Sequence, residues 1–141
     1  MNKYLKEIHK AKTDMAKSIV IDLDGVITDF EHCSIGCDYT GYPEKYLQLQ
    51  RDKCPINPDA ISTLKKIKSK GMRIIIYTSR ILAEKKVTEN WLKKNGVIYD
   101  ELVFGKPRAL LYCDDLAHEF KSWDNLLKEI DKRCTNPSSQ T

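Results

Sequence analysis

No stretch of this 141-residue sequence is long and apolar enough to span a bilayer, and the lysine-rich start, Met1 to Lys17, lacks a hydrophobic run of signal-peptide length. A cytoplasmic location without a membrane partner is therefore expected. The five cysteines, at 33, 37, 54, 113 and 134, are odd in number and scattered, which does not suit a secreted disulfide framework. Reduced thiols are expected. There is no internal repeat or low-complexity domain, and no block of like charge. The net charge of +4 mildly favours anionic partners, but the lysines are spread along the chain, which argues against nucleic acid as the partner. With 41% hydrophobic and 31% charged residues, the composition is that of a soluble globular chain, and its length suits one domain.

What is present is an alternation. Ser18 to Ile21 is a short β-branched apolar run that stops at Asp22-Leu23-Asp24-Gly25. A second run, Met72 to Tyr77, stops at Thr78-Ser79-Arg80, and a third, Ala109 to Cys113, at Asp114-Asp115. Each reads as a buried strand ending at a polar edge. Between the first two, Asn57-Pro58-Asp59 supplies an N-cap, a proline at the first helical position and an acid in the first turn. Ile61, Leu64 and Ile67 then recur on one face until Gly71 ends the helix. Leu82 to Asn95 predicts another helix, with Val87, Trp91 and Leu92 inward and Gly96 at its end, followed by a short strand at Glu101 to Phe104. A last helix, Lys121 to Lys132, brings Trp123, Leu126, Leu127 and Ile130 to the core.

This order predicts an α/β fold: a doubly wound, Rossmann-like parallel sheet flanked by helices, with no large cap domain. The expected organisation is a basic segment at 1–17, the domain at 18–133 and a frayed polar tail at 134–141. Asp29 to Cys54 has weak periodicity and reads as a flap with one helical turn near Lys45 to Arg51. Ligands of such sheets bind at the carboxyl ends of the strands, so Asp22, Asp24, Thr78, Asp114 and Asp115 are expected on one rim.

Asp22-Leu23-Asp24-Gly25-Val26-Ile27-Thr28 resembles the first motif of the haloacid dehalogenase superfamily of phosphohydrolases. Thr78 resembles the second motif, Lys106 in Phe104-Gly105-Lys106-Pro107 the third, and Asp114-Asp115 the acidic fourth, so the resemblance runs over residues 18 to 118. It implies a phosphatase in which Asp22 attacks phosphorus and forms a phosphoaspartyl intermediate. Asp24 would protonate the leaving oxygen and then activate water, a role that needs a carboxyl able to hold a proton near neutrality; a crowd of acids would raise its pKa accordingly. Thr78 would bind a phosphoryl oxygen and Lys106 would offset negative charge. The resemblance also implies Mg2+, bound by Asp22, by the backbone carbonyl of Asp24 and by Asp114 or Asp115. Gly25, Ser79 and Arg80 are candidate substrate contacts, with Tyr39, Tyr42 and Lys45 from the flap.

The two gaps that could hold a cap are largely filled by core helices, so the resemblance is to small capless members, and a second subunit could serve as a lid in a homo-oligomer. The expected substrate is a small phosphate ester such as a sugar phosphate. The alternatives are a macromolecular substrate, such as a nucleic acid end or a phosphoprotein, and a non-catalytic phosphate-binding module. A receiver-type signalling domain would place its acidic pair on the first strand, whereas here Asp-x-Asp comes first and the pair last. Taken singly, each residue also has a bland reading: Asp24-Gly25 as a turn, Thr78 and Asp114-Asp115 as caps, Lys106 as a solvated lysine. His32, Cys33, Cys37 and Cys54 could hold zinc or be unpaired thiols; their spacing is not that of a standard knuckle.

Overall fold

The computed structural model describes residues 2–29 and 51–135. An isolated-looking helix, α1 (Lys3–Ala16), leads through Lys17 into β1 (Ser18–Asp22). After β1 the chain makes a kinked turn, Leu23–Ile27, closed by the Thr28 amide donating to the Leu23 carbonyl at 3.0 Å; within it Asp24 is extended and Gly25 has φ 86°, a left-handed conformation that suits glycine. There follow α2 (Ala60–Ser69), β2 (Arg73–Tyr77), a short turn Leu82–Glu84, α3 (Lys85–Lys94), β3 (Glu101–Val103) and α4 (Trp123–Thr135).

The strands form a parallel sheet in the order β1-β2-β3, flanked by helices in a Rossmann-like α/β arrangement. Ile19 pairs with Ile74 and Ile21 with Ile76, and Ile76 in turn with Leu102. Because side chains alternate along a strand, these residues share one face. That face is the core side: Ile74 and Ile76 are fully buried, together with Leu64 and Ile67 of α2, Trp91 and Leu92 of α3, and Leu23 and Ile27 of the turn. Helices α2 and α4 pack together, with Trp123 and Ile130 buried and Lys70 paired to Asp131 at 2.6 Å.

Strands β1 to β3 and helices α2 to α4 lie where their sequence patterns place them, with small shifts at their ends. Helix α2 begins at Ala60 rather than at Pro58, because Asn57 and Pro58-Asp59 form the preceding turn, with the Ala60 amide donating to the Asn57 carbonyl at 3.0 Å. The lysine-rich start is helical, and α4 runs to Thr135, past the expected domain end at 133. No described helix is long and apolar enough to cross a membrane.

One expected element is not formed. Ala109 to Cys113 is irregular rather than a strand, and Leu111 is 78% exposed. The run contains no β-branched residue, unlike Ile19-Val20-Ile21 and Ile74-Ile75-Ile76, and it has no ladder partner among the described residues. The outer edge of β1 consequently has no strand beside it among the described residues, and Val20 is 59% exposed.

Candidate active site

The site is built where β1 and β2 end side by side. Asp22, the last residue of β1, pairs in register with Tyr77, which places it beside Thr78 at the end of β2. Thr78 is fully buried, and its backbone is held on both sides: its amide donates to the Val103 carbonyl at 2.9 Å and its carbonyl accepts from the Lys106 amide at 2.9 Å. The Gly105 amide donates to the Arg80 carbonyl at 3.1 Å, and Gly105 has φ 78°, so the turn after β3 needs glycine there. This turn swings Lys106 back over the rim.

The result is a contact between residues 84 apart in sequence: Lys106 Nζ lies 3.5 Å from Asp22 Oδ2. The Leu23 amide donates to Asp22 Oδ1 at 2.9 Å. Partial burial raises the Asp22 pKa above the ordinary 3.8, against the pull of Lys106 and the Leu23 amide; the nearby Asp24 charge adds to the rise. Lys106 also stands 4.5 Å from the centre of the Tyr112 ring, a cation–π contact, and the Tyr112 hydroxyl donates to the Pro107 carbonyl.

Asp24 sits in a different setting from the one expected. Arg80 grips both of its oxygens, Nη2 to Oδ1 at 2.6 Å and Nε to Oδ2 at 2.8 Å, in the forked geometry that suits guanidinium and carboxylate. Arg51 Nη1 approaches Oδ1 at 3.6 Å, and Arg51 Nε is bound to Glu84 at 2.9 Å. Arg80 Nη1 also donates to Thr88 Oγ1 at 3.1 Å. Burial pushes the Asp24 carboxyl upward, but Arg80, Arg51 and the Thr28 hydroxyl outweigh it and hold the pKa below 3.8. The expectation that neighbouring acids would raise it is therefore corrected: the neighbours that matter are arginines. Arg80, expected to face a substrate, is 1% exposed and turned to Asp24.

The turn itself is braced from the other side. The Gly25 amide donates to Thr28 Oγ1 at 3.1 Å, and Thr28 forms an antiparallel bridge with Ile56. The Asp29 amide donates to the Pro55 carbonyl and the Asn57 amide to the Ile27 carbonyl, at 2.9 and 2.8 Å. Buried Trp91 reaches the same segment, donating from Nε1 to the Cys54 carbonyl at 2.7 Å. Ser79 is half-buried beside Thr78.

Asp114 and Asp115 do not join this rim. Both are exposed, and Asp114 Oδ1 accepts from the Leu116 amide two residues on at 2.7 Å, in a local turn rather than at a helix start. Among the described residues no group of three His, Cys, Asp or Glu side chains could hold a metal ion. Of the ligand set that the resemblance implies for magnesium, Asp114 and Asp115 are thus not gathered with Asp22 among the described residues. This follows from the missing strand, since the pair was expected at its end. His32, Cys33, Cys37, Tyr39, Tyr42 and Lys45 lie outside the described residues; Cys54 is buried.

Sequence reasoning missed Arg51 and Glu84, the outer half of the ionic network. Their contact joins positions 33 apart, and no local pattern signals it. Thr28, whose hydroxyl lies 3.5 Å from Asp24 Oδ1, belongs to the Asp22–Thr28 motif itself.

No family model matches the chain, and no curated protein matches it. Among solved structures it is similar to the crystal structure of a structural-genomics target from Vibrio cholerae, with a TM-score of 0.55 and 21% identity over 83% of this chain and 98% of that one. It is also similar to a chain of the Pnkp1/Rnl/Hen1 complex, with a TM-score of 0.47 and 24% identity, covering 68% of this chain and 30% of the other. The first likeness shows the shared fold.

Proposed function

We propose that the chain is a phosphomonoesterase of the haloacid dehalogenase type, acting through a phosphoaspartyl intermediate on Asp22. The observation that carries this reading is the approach of Lys106 to Asp22 beside the end of β2, from three separate stretches of chain. A phosphate monoester is a dianion, so a carboxylate can attack it only where positive charge and donors offset the repulsion. Lys106 supplies such charge, and Thr78 stands at the neighbouring strand end to bind a phosphoryl oxygen.

In the proposed reaction an Asp22 oxygen bonds to phosphorus as the ester P–O bond breaks, and the leaving oxygen takes up a proton. Water then attacks the phosphoaspartate, releasing phosphate and restoring the Asp22 carboxylate. Asp24 is suited to supply and later accept that proton only once its carboxyl parts from Arg80, so substrate arrival would have to loosen that pair. A small ester such as a sugar phosphate is the proposed substrate. The magnesium requirement is part of the proposal and asks that Asp114 or Asp115 come to the rim; no step above depends on it.

A second reading, a non-catalytic phosphate-binding module, draws support from the ion-paired Asp24 and the outlying acidic pair. The deciding experiment is phosphate release from a panel of esters by wild type and Asp22→Asn, with and without magnesium. Turnover that needs magnesium and disappears in Asp22→Asn supports the phosphatase. Folded wild type that releases nothing, even from aryl phosphates, gives the binding module its place.

A further inference from the structure

Helix α1 buries none of its 14 residues, although Tyr4 is 69% exposed and Met15 55%. It is well capped at its start, where Asn2 Oδ1 accepts from the Leu5 amide at 2.8 Å. Even so, a lone helix of this length is marginal in water, and its stability in proteins comes from covering an apolar face. Its face is regular: Tyr4, Ile8, Ala11 and Met15 recur at steps of four, three and four, the d-a-d-a seam of two heptads.

We infer that α1 pairs in parallel with α1 of a second copy of this chain. The charges beside the seam specify the partner. In this register Glu7 is a g position and Lys12 an e position, five residues on, and parallel coiled coils match g of one helix with e of the other in that offset. A symmetric parallel pair therefore forms two Glu7–Lys12 bridges, whereas an antiparallel pair sets the acidic g positions Glu7 and Asp14 against each other. The β-branched Ile8 at an a position suits two strands. Lys3, Lys6 and Lys10 lie on the side of the helix opposite the seam, so a lipid surface taking the apolar face would gain little from them. Because only Lys17 separates α1 from β1, pairing sets the two β1 strands starting side by side.

The test is sedimentation equilibrium of the full chain over about a hundredfold concentration range. Wild type is expected to pass reversibly from monomer to dimer, and Ile8→Asp to weaken the dimer by about a hundredfold. Glu7→Lys and Lys12→Glu should each weaken it by about threefold, and the double swap should restore it. Since α1 stands outside the core, unchanged thermal unfolding of each variant excludes misfolding as the cause. A wild type monomeric throughout, a dimer indifferent to Ile8→Asp, or a double swap no better than the singles would each overturn the inference. So would a monomer that instead co-sediments with phosphatidylglycerol vesicles through the same face.

Discussion

Two stretches of this chain look alike in sequence and fare differently in structure. Ile74-Ile75-Ile76 leads to Thr78 and lies between two strands with Ile74 and Ile76 buried; Leu110-Leu111-Tyr112 leads to Asp114 and lies exposed outside the sheet. The first has partners on both edges and helices over one face, and its β-branched side chains fit a pleated surface. The second has neither. An apolar run thus marks a potential strand, while neighbours decide whether it becomes one. The same contrast holds for chemistry: Asp22 and Thr78 end paired strands and meet Lys106, whereas Asp114 and Asp115 end an unpaired run and stay apart.

The largest expected effect is on the assembled side. Asp22→Asn should lower phosphate release by at least about a thousandfold while leaving the fold intact, as followed by phosphate assay and thermal unfolding. Loss of activity without loss of structure would sharpen the distinction between a working rim and an idle one; retained activity would abolish it.

Arg80→Ala comes next. Breaking a buried pair strands the partner charge, so this change should cost about 3–5 kcal/mol in denaturant unfolding. It should also alter the acid response. The Asp24 pKa is lowered by folding, so its contribution is complete above the unfolded value near 3.8 and is lost as pH falls through the folded value. Asp22 has the opposite sign: its pKa is raised, so its contribution is complete below 3.8 and is lost as pH rises through the folded value. Unfolding as a function of pH should therefore show Asp22→Asn relatively stabilised toward neutrality and Arg80→Ala stripped of the stability that Asp24 supplies there.

A direct trial of the contrast between runs uses two matched truncations. Leu64→Ala, in the core, should cost about 2–5 kcal/mol, and Leu111→Ala less than about 0.5 kcal/mol. Equal costs would mean that Ala109 to Cys113 packs as a strand after all. The smallest effect belongs to the exposed pair of Lys68 and Asp100, 2.6 Å apart: Lys68→Ala should change stability by about 0–1 kcal/mol.

The elements that could be read from sequence are those whose pattern and partners agree. Strands β1 and β2, helices α2 to α4 and the meeting of Asp22 with Thr78 followed from β-branched runs, helical periodicity and the expected crossover, whereas Lys106 was a candidate only through the family resemblance. Trp91 and Trp123 were likewise legible as core. The state of Asp24 was not, because it depends on Arg80 turning inward and on Arg51 beside it, both brought there by tertiary packing. Nor was the fate of Ala109 to Cys113, whose hydrophobicity says nothing about which edge is open to it.

The strand order of the sheet bears on how the chain assembles as it is made. Among the described residues each strand pairs only with its neighbour in sequence, so β1 can receive β2, and β2 receive β3, in the order of synthesis. The exception is α4, which must return to α2 from more than fifty residues away, bringing Trp123 and Ile130 inside. Until that stretch leaves the ribosome, the face of α2 that meets it stays open, and the nascent chain carries a sticky patch that α4 removes.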